Sequence, residues 1–198
     1  MGNVLPPKGW YSRHYLPHCS LSGTPQFVTI RLHDSLPLQV VKGLVRETEE
    51  LKTSSIERIR RIEALLDKPF GSALLQHERY AEIVREALQW RHQRDYTLHE
   101  WVIMPTHVHL LFTPLGEKAL SRIVQSLKAN SGARINRLRG STEPVWYREY
   151  FDRFIRDEAH FGRTVDYIHS NPVRAGLAEC ARLYRWCSAY GPPRLERR

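Results

Sequence analysis

The stretch YTLHEWVIMPTHVHLLFTP, residues 96–114, contains two β-rich runs separated by a short break at residues 105–106. A proline followed by a polar residue between two such runs is typical of a reversal of the chain. We therefore predict an antiparallel hairpin. Because residues i and i+2 of a strand point to the same face, His107 and His109 should project side by side from its second strand.

Two imidazoles at this spacing have the geometry of a chelate for a metal ion. Imidazole suits borderline transition metals, but Mg²⁺ and Mn²⁺ also require oxygen ligands, so a third ligand has to come from elsewhere in the chain. The alternative is that His107 and His109 lie on a solvated face or hydrogen-bond a neighbour, and a His-x-His string is common in proteins. The pair by itself is weak evidence for a metal site.

Strand and helix patterns precede the hairpin. The segment QFVTIRL, residues 26–32, alternates as a strand does, and the residues before it read as a loop or arm. From about residue 38 to residue 90, apolar side chains recur at helical spacing, with an interruption at residues 67–72. We interpret this region as a helical insertion of two helices.

Further helices follow the hairpin. Apolar spacing predicts a helix over residues 120–138, with Gly140 as its stop. Residues 144–156 are aromatic and basic, a further helix should end before Pro172, and a last helix is expected from about residue 177 to 190. This order of elements predicts an α+β fold of the βαββαβ type, in which an antiparallel sheet carries helices on one side.

The composition fits one domain over residues 1–198, with an arm at about 191–198. An apolar fraction of 41% argues against disorder, and no run approaches the roughly 20 apolar residues of a membrane helix. The N-terminus lacks the apolar stretch of a signal peptide, and three cysteines without a C-x-x-C pair fit reduced thiols, so we expect a cytoplasmic protein. A formal charge of +9 makes polyanions the natural partners.

A predicted helix around Tyr167 supplies a second group of candidate functional residues. At about 100° per residue, its apolar stripe can be separated from the flank beside it. The stripe consists of Phe161, Val165 and Ile168, and the flank consists of His160, Thr164, Tyr167 and Asn171. A phenol with an ordinary pKa near ~10 attacks a phosphate well only if its proton is removed or the phosphate is polarised, which a divalent metal can do.

Together, MPTHVHLLF and, about sixty residues later, YFDRFIRDEAHFGRTVDYIHSNPVRAGL resemble the REP-associated tyrosine transposases of the HUH single-tyrosine superfamily. The resemblance covers most of the chain. It implies a ferredoxin-like or RRM-like sheet with a C-terminal catalytic helix. It also implies that His107 and His109 bind a divalent metal, Mg²⁺ or Mn²⁺, that Asn171 completes the metal site, and that Tyr167 is the nucleophile.

The activity implied by this resemblance is metal-dependent nicking and joining of single-stranded DNA at hairpin-forming repeats, through a 5′-phosphotyrosine intermediate. It favours a monomer. Two alternatives remain: a repeat-DNA-binding regulatory protein of the same fold without cleavage, and a metal hydrolase that needs no covalent intermediate. The proton acceptor for Tyr167 is open, with Asp166, His160 and a metal-bound water as candidates.

Six basic residues are candidate contacts to DNA phosphates, and a merely solvated surface is the alternative for each. They form one group on the helix after the hairpin and one around the proposed catalytic helix: Arg122, Lys128 and Arg134, then Arg153, Arg156 and Arg174. The aromatic residues Trp146, Phe151 and Phe154 are expected in the core. Tyr147 stands where the family has a glutamine, and the roles of the 38–90 insertion and the C-terminal arm are open.

Overall fold

The residues described in the computed structural model are 23–37 and 70–192, the backbone of 10–12 and 17–19, and residues 39, 40, 43, 61 and 64–66. Most of the first helix predicted in the 38–90 region, and the arm from residue 193 onward, lie outside these residues. The described backbone at 39–40, 43, 61 and 64–66 is helical, in agreement with the apolar spacing of that region.

The described residues include six strands. A short N-terminal hairpin consists of β1 (Trp10–Ser12) and β2 (Pro17–Cys19). The central sheet consists of β3 (Gln26–Arg31), β4 (Tyr96–Ile103), β5 (His107–Pro114) and β6 (Phe151–Phe154). Its order is β4-β5-β3-β6, and every pair is antiparallel. This architecture confirms the predicted α+β class.

The predicted hairpin is confirmed, with Ile103 of β4 opposite Val108 of β5. The strand expected at residues 26–32 is also confirmed, as β3. The N-terminal segment differs from the expected loop because it contains β1 and β2. Three-residue strands are too short to display a period of two, so the sequence pattern could not reveal them.

Three α-helices are described in full: α1 (Glu78–Arg91), α2 (Leu120–Arg139) and α3 (Glu158–Arg174). α2 ends at Gly140, which adopts the left-handed conformation with φ 62°, as predicted for its stop. α3 was expected to end before Pro172, but it continues through this proline to Arg174. Amide N–H groups of Ala175 and Leu177 donate to the carbonyls of Asn171 and Pro172, which completes the last turn beyond the proline.

The helix predicted over residues 177–190 is wrong. This segment contains only a 3-10 turn, Ala181–Leu183, and then runs beside the edge strand β4. The Ile103 amide donates to the Trp186 carbonyl at 2.8 Å, and the Ser188 amide donates to the Trp101 carbonyl at 2.9 Å. Covering unpaired groups of an edge strand overrides the helical spacing of the segment.

Helices cover both faces of the sheet, whereas the sequence pattern predicted one. α1 and α2 pack on the face formed by Val28, Ile30, Val108 and Leu110. α3 packs on the opposite face, where Ile168 lies against Phe27 and Leu111. α1 is therefore an integral layer of the core, although it falls within the predicted insertion. Each fully buried apolar side chain of this size contributes about 1.5–3 kcal/mol.

Candidate active site

The two histidines lie on β5, an inner strand of the sheet, on the face that α3 covers. Both side chains are 1% exposed, and their Nε2 atoms are 3.1 Å apart. Two nitrogen ligands at about 2.1 Å from one cation, at right angles, are roughly 3 Å apart. The pair expected from the sequence is therefore present with the separation of a chelate.

Two threonine hydroxyls hold the opposite ring nitrogens. Thr106 Oγ1 donates to the Leu66 carbonyl at 3.0 Å, so at 2.9 Å it accepts from Nδ1–H of His107. This assignment leaves the lone pair of His107 on Nε2. Thr29 Oγ1 lies 2.8 Å from Nδ1 of His109, on the neighbouring strand β3. Each imidazole is thus oriented by a partner on its far side, as is usual for metal-binding histidines.

Burial keeps both imidazoles neutral. Desolvation lowers the pKa of His107 from 6.5 to about 3. The pKa of His109 also lies well below 6.5, first because of burial and then because a charge on His109 would be repelled by a protonated His107 and by Arg174. Neutral imidazole is the form that binds a metal, so both rings have the charge that metal binding requires at neutral pH.

α3 positions Tyr167 against this pair. The helix begins after Asp157, whose Oδ1 accepts from the His160 amide at 2.7 Å, and Ile168 anchors it to the sheet. The ring centroid of Tyr167 is 5.3 Å from that of His109 in an edge contact and 5.8 Å from that of Phe27. Tyr167 and the histidine pair, which were predicted from separate segments, therefore meet.

Asn171 supplies the test of whether a cation fits. Its side chain is fully buried, and Nδ2 donates to the Tyr167 carbonyl at 2.7 Å. Its Oδ1 has no hydrogen-bond partner within the described residues, although buried polar atoms normally have one. Two neutral imidazoles and an amide oxygen suit a divalent cation of the Mn²⁺ type. No cluster of three or more His, Cys, Asp or Glu occurs among the described residues.

A hydrogen bond that the sequence did not indicate ties α3 to β4. Nε2 of His169 lies 2.9 Å from Oε2 of Glu100, which also accepts from the Ser188 hydroxyl. Glu100 and His169 are 69 residues apart, so no spacing rule could have joined them. The contact fixes the helix two residues away from Tyr167.

Beside Tyr167 lies a cleft of about 390 Å³ that we call the arginine cleft. It is lined by Phe27, Arg153, Arg156, His160, Arg163, Thr164 and Tyr167. Arg153 and Arg156 were predicted as DNA contacts, and Arg163 was missed, although its position four residues before Tyr167 on α3 could have indicated it. Arg174 also lies near Tyr167, with its guanidinium carbon 5.7 Å from the ring centroid.

The three basic residues predicted on α2 are not brought to this site, because α2 packs on the opposite face of the sheet. Arg122 is exposed, Arg134 pairs with Glu86, and Lys128 donates to the Arg148 carbonyl at 2.7 Å. Burial lowers the pKa of Lys128 to about 8. Their contact with DNA stays a prediction.

Arg31 is a buried cation on the site face that sequence reasoning missed. It lies directly opposite His107 in the β3–β5 register, and its guanidinium carbon is 3.5 Å from the ring centroid of Tyr147. Burial lowers the pKa of Arg31 to about 10. Tyr147, at the position where the family resemblance has a glutamine, thus covers an arginine beside the histidine pair.

Comparison with known proteins places the chain in a family. Residues 72–171 match the family described as Transposase IS200 like. The match spans a little over half of the chain and includes the hairpin, both histidines, Tyr167 and Asn171. The chain belongs to this family.

Curated relatives agree with that assignment. The chain is 25% identical over 97 residues to the REP-associated tyrosine transposase of Escherichia coli K12, a match that covers 48% of this chain and 56% of that protein. A relative in Haemophilus influenzae is 25% identical over 104 residues, covering 48% of this chain and 59% of that protein. The chain spans a little over half the length of these relatives.

The fold is that of a solved transposase. A REP-associated tyrosine transposase bound to a REP hairpin superimposes with a TM-score of 0.57 at 20% identity, covering 90% of this chain and 81% of that one. This likeness confirms the architecture of sheet and helices. Within the described part of the chain, no helix has the length and apolarity needed to cross a membrane.

Proposed function

We propose that this chain nicks and rejoins single-stranded DNA, with Tyr167 as the nucleophile and with His107, His109 and Asn171 as ligands of Mg²⁺ or Mn²⁺. The observation that carries the proposal is the 5.3 Å ring contact between Tyr167 and His109, since it joins the phenol to the nitrogen pair. The orphaned Oδ1 of Asn171, one helical turn from Tyr167, supports the third ligand.

The chemistry follows from these groups. The Tyr167 oxygen attacks a backbone phosphorus, an O–P bond to tyrosine forms, and the bond from phosphorus to the 3′ oxygen breaks. The phenol loses its proton and the departing 3′ oxygen gains one. A bound divalent cation would polarise the phosphate and disperse its growing charge. Since one phosphoester replaces another, a 3′-hydroxyl can reverse the step and join a different strand without an external energy source.

The histidine protons must also rearrange. At 3.1 Å, one Nε2 donates to the other, and the lone pair on Nε2 of His107 makes His109 the donor. Holding a cation requires lone pairs on both Nε2 atoms, so His109 then carries its proton on Nδ1, facing Thr29. Both rings stay neutral in this exchange, so ligand binding at neutral pH does not depend on deprotonating a histidine.

The substrate proposed is DNA with hairpin-forming repeats. Support comes from the net charge of +9, from the arginine cleft beside Tyr167, and from the solved relative that is bound to a REP hairpin. His160 is a poor proton acceptor for Tyr167, because its Nδ1 accepts the Arg156 amide at 3.3 Å and its neutral ring therefore carries the proton on Nε2. Among the residues considered from the sequence, this removes one candidate base.

The test is a search for a covalent adduct. The protein is incubated with Mn²⁺ or Mg²⁺ and end-labelled single-stranded oligonucleotides carrying the repeats that flank its gene, and the products are separated under denaturing conditions. We expect a protein–DNA adduct that requires the cation and disappears in Tyr167→Phe. Tyr190→Phe is the matched control, because Tyr190 is 57% exposed and lies outside the site.

The outcomes separate the alternatives. Tight hairpin binding without an adduct would favour a repeat-binding regulatory protein. Cleavage that persists in Tyr167→Phe would favour a hydrolase without a covalent intermediate. Either result contradicts the proposed nucleophile.

A further inference from the structure

We infer that the arginine cleft binds a backbone phosphate of the DNA strand that Tyr167 attacks. This phosphate is a neighbour of the attacked one, and Arg163 is one of the residues that contact it. The ligand class, single-stranded DNA, rests on the proposed function. The cleft itself rests on the positions of four basic side chains. They come from β6, the β6–α3 connection and the first turns of α3: Arg153, Arg156, His160 and Arg163.

The arginines of the cleft are available to an external anion. Within the described residues, none of Arg153, Arg156 and Arg163 forms a salt bridge with a carboxylate, whereas Arg134 and Arg85 pair with glutamates on α1. Arg156 and Arg163 are exposed. Three like charges around one cleft repel each other, and a bound anion relieves this repulsion. The electrostatics of the cleft therefore favour anion binding.

His160 adds a neutral hydrogen-bond donor to the cleft. Its side chain is 7% exposed, and Nδ1 accepts the amide of Arg156. The neutral tautomer consistent with this bond presents Nε2–H. The pKa of His160 is lowered, first by burial and then by Arg153, Arg156 and Arg163, so the ring stays neutral in their company.

The position of the cleft identifies which phosphate it takes. Phe27 and Tyr167 lie at its boundary, and Phe27 also stacks on His109 with 5.4 Å between ring centroids. The ring of Phe27 thus contacts both the arginine cleft and the histidine pair. Phe27 is only 4% exposed, so it lies between the arginine cleft and the histidine pair rather than stacking on a base. A strand with one phosphate at the histidine pair can therefore place a neighbouring phosphate on the arginines.

The experiment measures binding without catalysis. In a Tyr167→Phe background with EDTA, fluorescein-labelled oligodeoxythymidine of about 16 nucleotides is titrated at several salt concentrations. We expect Arg163→Gln to weaken binding about three- to tenfold at low salt and to reduce the log–log salt slope by about 0.7, the share of one single-strand phosphate contact. Arg163→Lys should keep the slope, because the charge is retained.

Arg137→Gln is the matched control. Arg137 is also an exposed arginine on a helix, but α2 lies across the sheet, so its loss removes the same charge without touching the cleft. Equal affinities and slopes for R163Q and R137Q would overturn the inference. A second result would also overturn it: inorganic phosphate raises the melting temperature only when Arg163 is present, but oligonucleotide affinity does not depend on Arg163. The cleft would then bind a free anion and not DNA.

The covalent assay reports separately on the proposed function. Adduct formation by the parent chain, combined with unchanged oligonucleotide binding by R163Q, would remove this inference and leave the proposed function in place. Arg163-dependent oligonucleotide binding without any adduct would contradict the proposed function and leave the phosphate contact of Arg163 in place.

Discussion

Asn171 Nδ2 donates to the main-chain carbonyl of Tyr167, one turn earlier on α3, at 2.7 Å. The bond orients the amide so that its nitrogen is engaged by the helix and its oxygen is not. Among the described residues, that oxygen has no hydrogen-bond partner despite complete burial. Within the described part of the chain, the residue before Pro172 thus keeps a buried oxygen without a hydrogen-bond partner one helical turn from the proposed nucleophile.

Replacing Asn171 by alanine should weaken Mn²⁺ binding by about tenfold or more, because one ligand is lost. Stability should change little, since the substitution also removes a buried unsatisfied oxygen. Isothermal titration calorimetry with Mn²⁺ measures the affinity. Asn130→Ala, at an exposed position of α2, is the control. An unchanged affinity in N171A would exclude Asn171 as a ligand.

Thr106→Val should weaken the cation site without touching a ligand. The substitution keeps the shape of the side chain but removes the acceptor for Nδ1–H of His107 and the donor to the Leu66 carbonyl. We expect about tenfold weaker Mn²⁺ binding and a loss of roughly 1–2 kcal/mol in the free energy of unfolding.

The control for that change is Thr113→Val. Thr113 Oγ1 lies 2.7 Å from Nε2 of His99, so the same kind of threonine–histidine bond is lost near the far end of β5, away from the pair. T113V should lose stability and keep its Mn²⁺ affinity. Equal Mn²⁺ affinities in T106V and T113V would show that Thr106 does not orient His107.

Acid should destabilise the protein through the buried histidines. The pKa of His107 is about 3 in the folded chain and 6.5 as an ordinary value, so between these values the unfolded chain binds a proton that the folded chain does not. The free energy of unfolding therefore falls as pH drops below 6.5, by up to about 1.4 kcal/mol per pH unit for each such histidine. His109, with its pKa lowered in the same direction, adds to the effect.

Urea denaturation in EDTA across this pH range measures that dependence. His107→Asn removes one titrating group, and we expect a shallower fall in stability with decreasing pH. A slope identical to that of the parent chain would contradict the burial argument.

Glu100→Gln should loosen α3. The carboxylate accepts from His169 and from Ser188, so its neutralisation weakens two contacts that tie the helix and the segment after it to β4. We expect a loss of about 1–2 kcal/mol in stability and slower adduct formation, because Tyr167 is less firmly positioned. Thermal melts and single-turnover rates report the two effects.

The comparison for Glu100 is Glu82→Gln. Glu82 pairs with Arg85 on α1, far from α3, and both side chains are partly exposed. Such surface pairs contribute about 0–1 kcal/mol. A reduced adduct rate in E82Q as large as that in E100Q would mean that the rate follows global stability rather than the position of α3.

Local patterns predicted the parts of the site well. The Pro105 break and the alternation after it were sufficient for the hairpin and for the shared face of His107 and His109. Helical spacing was sufficient to place Tyr167 and Asn171 on one flank. Pattern failed at residues 177–190, where bonds to the edge of β4 outweigh the local preference, and at Arg163, whose role depends on what faces it.

Sequence alone determined the chemistry available to this protein: two imidazoles on one strand face, and a phenol with an amide on one helix flank, because strand and helix periods dictate which neighbours share a side. Tertiary structure decided that α3 covers the face opposite α1 and α2, and so brought these two sets into contact. It also gathered Arg153, Arg156 and Arg163 into one cleft and left the basic residues of α2 across the sheet. The reason is that burial of apolar faces, a property of the whole chain, selects which side of a sheet each helix covers.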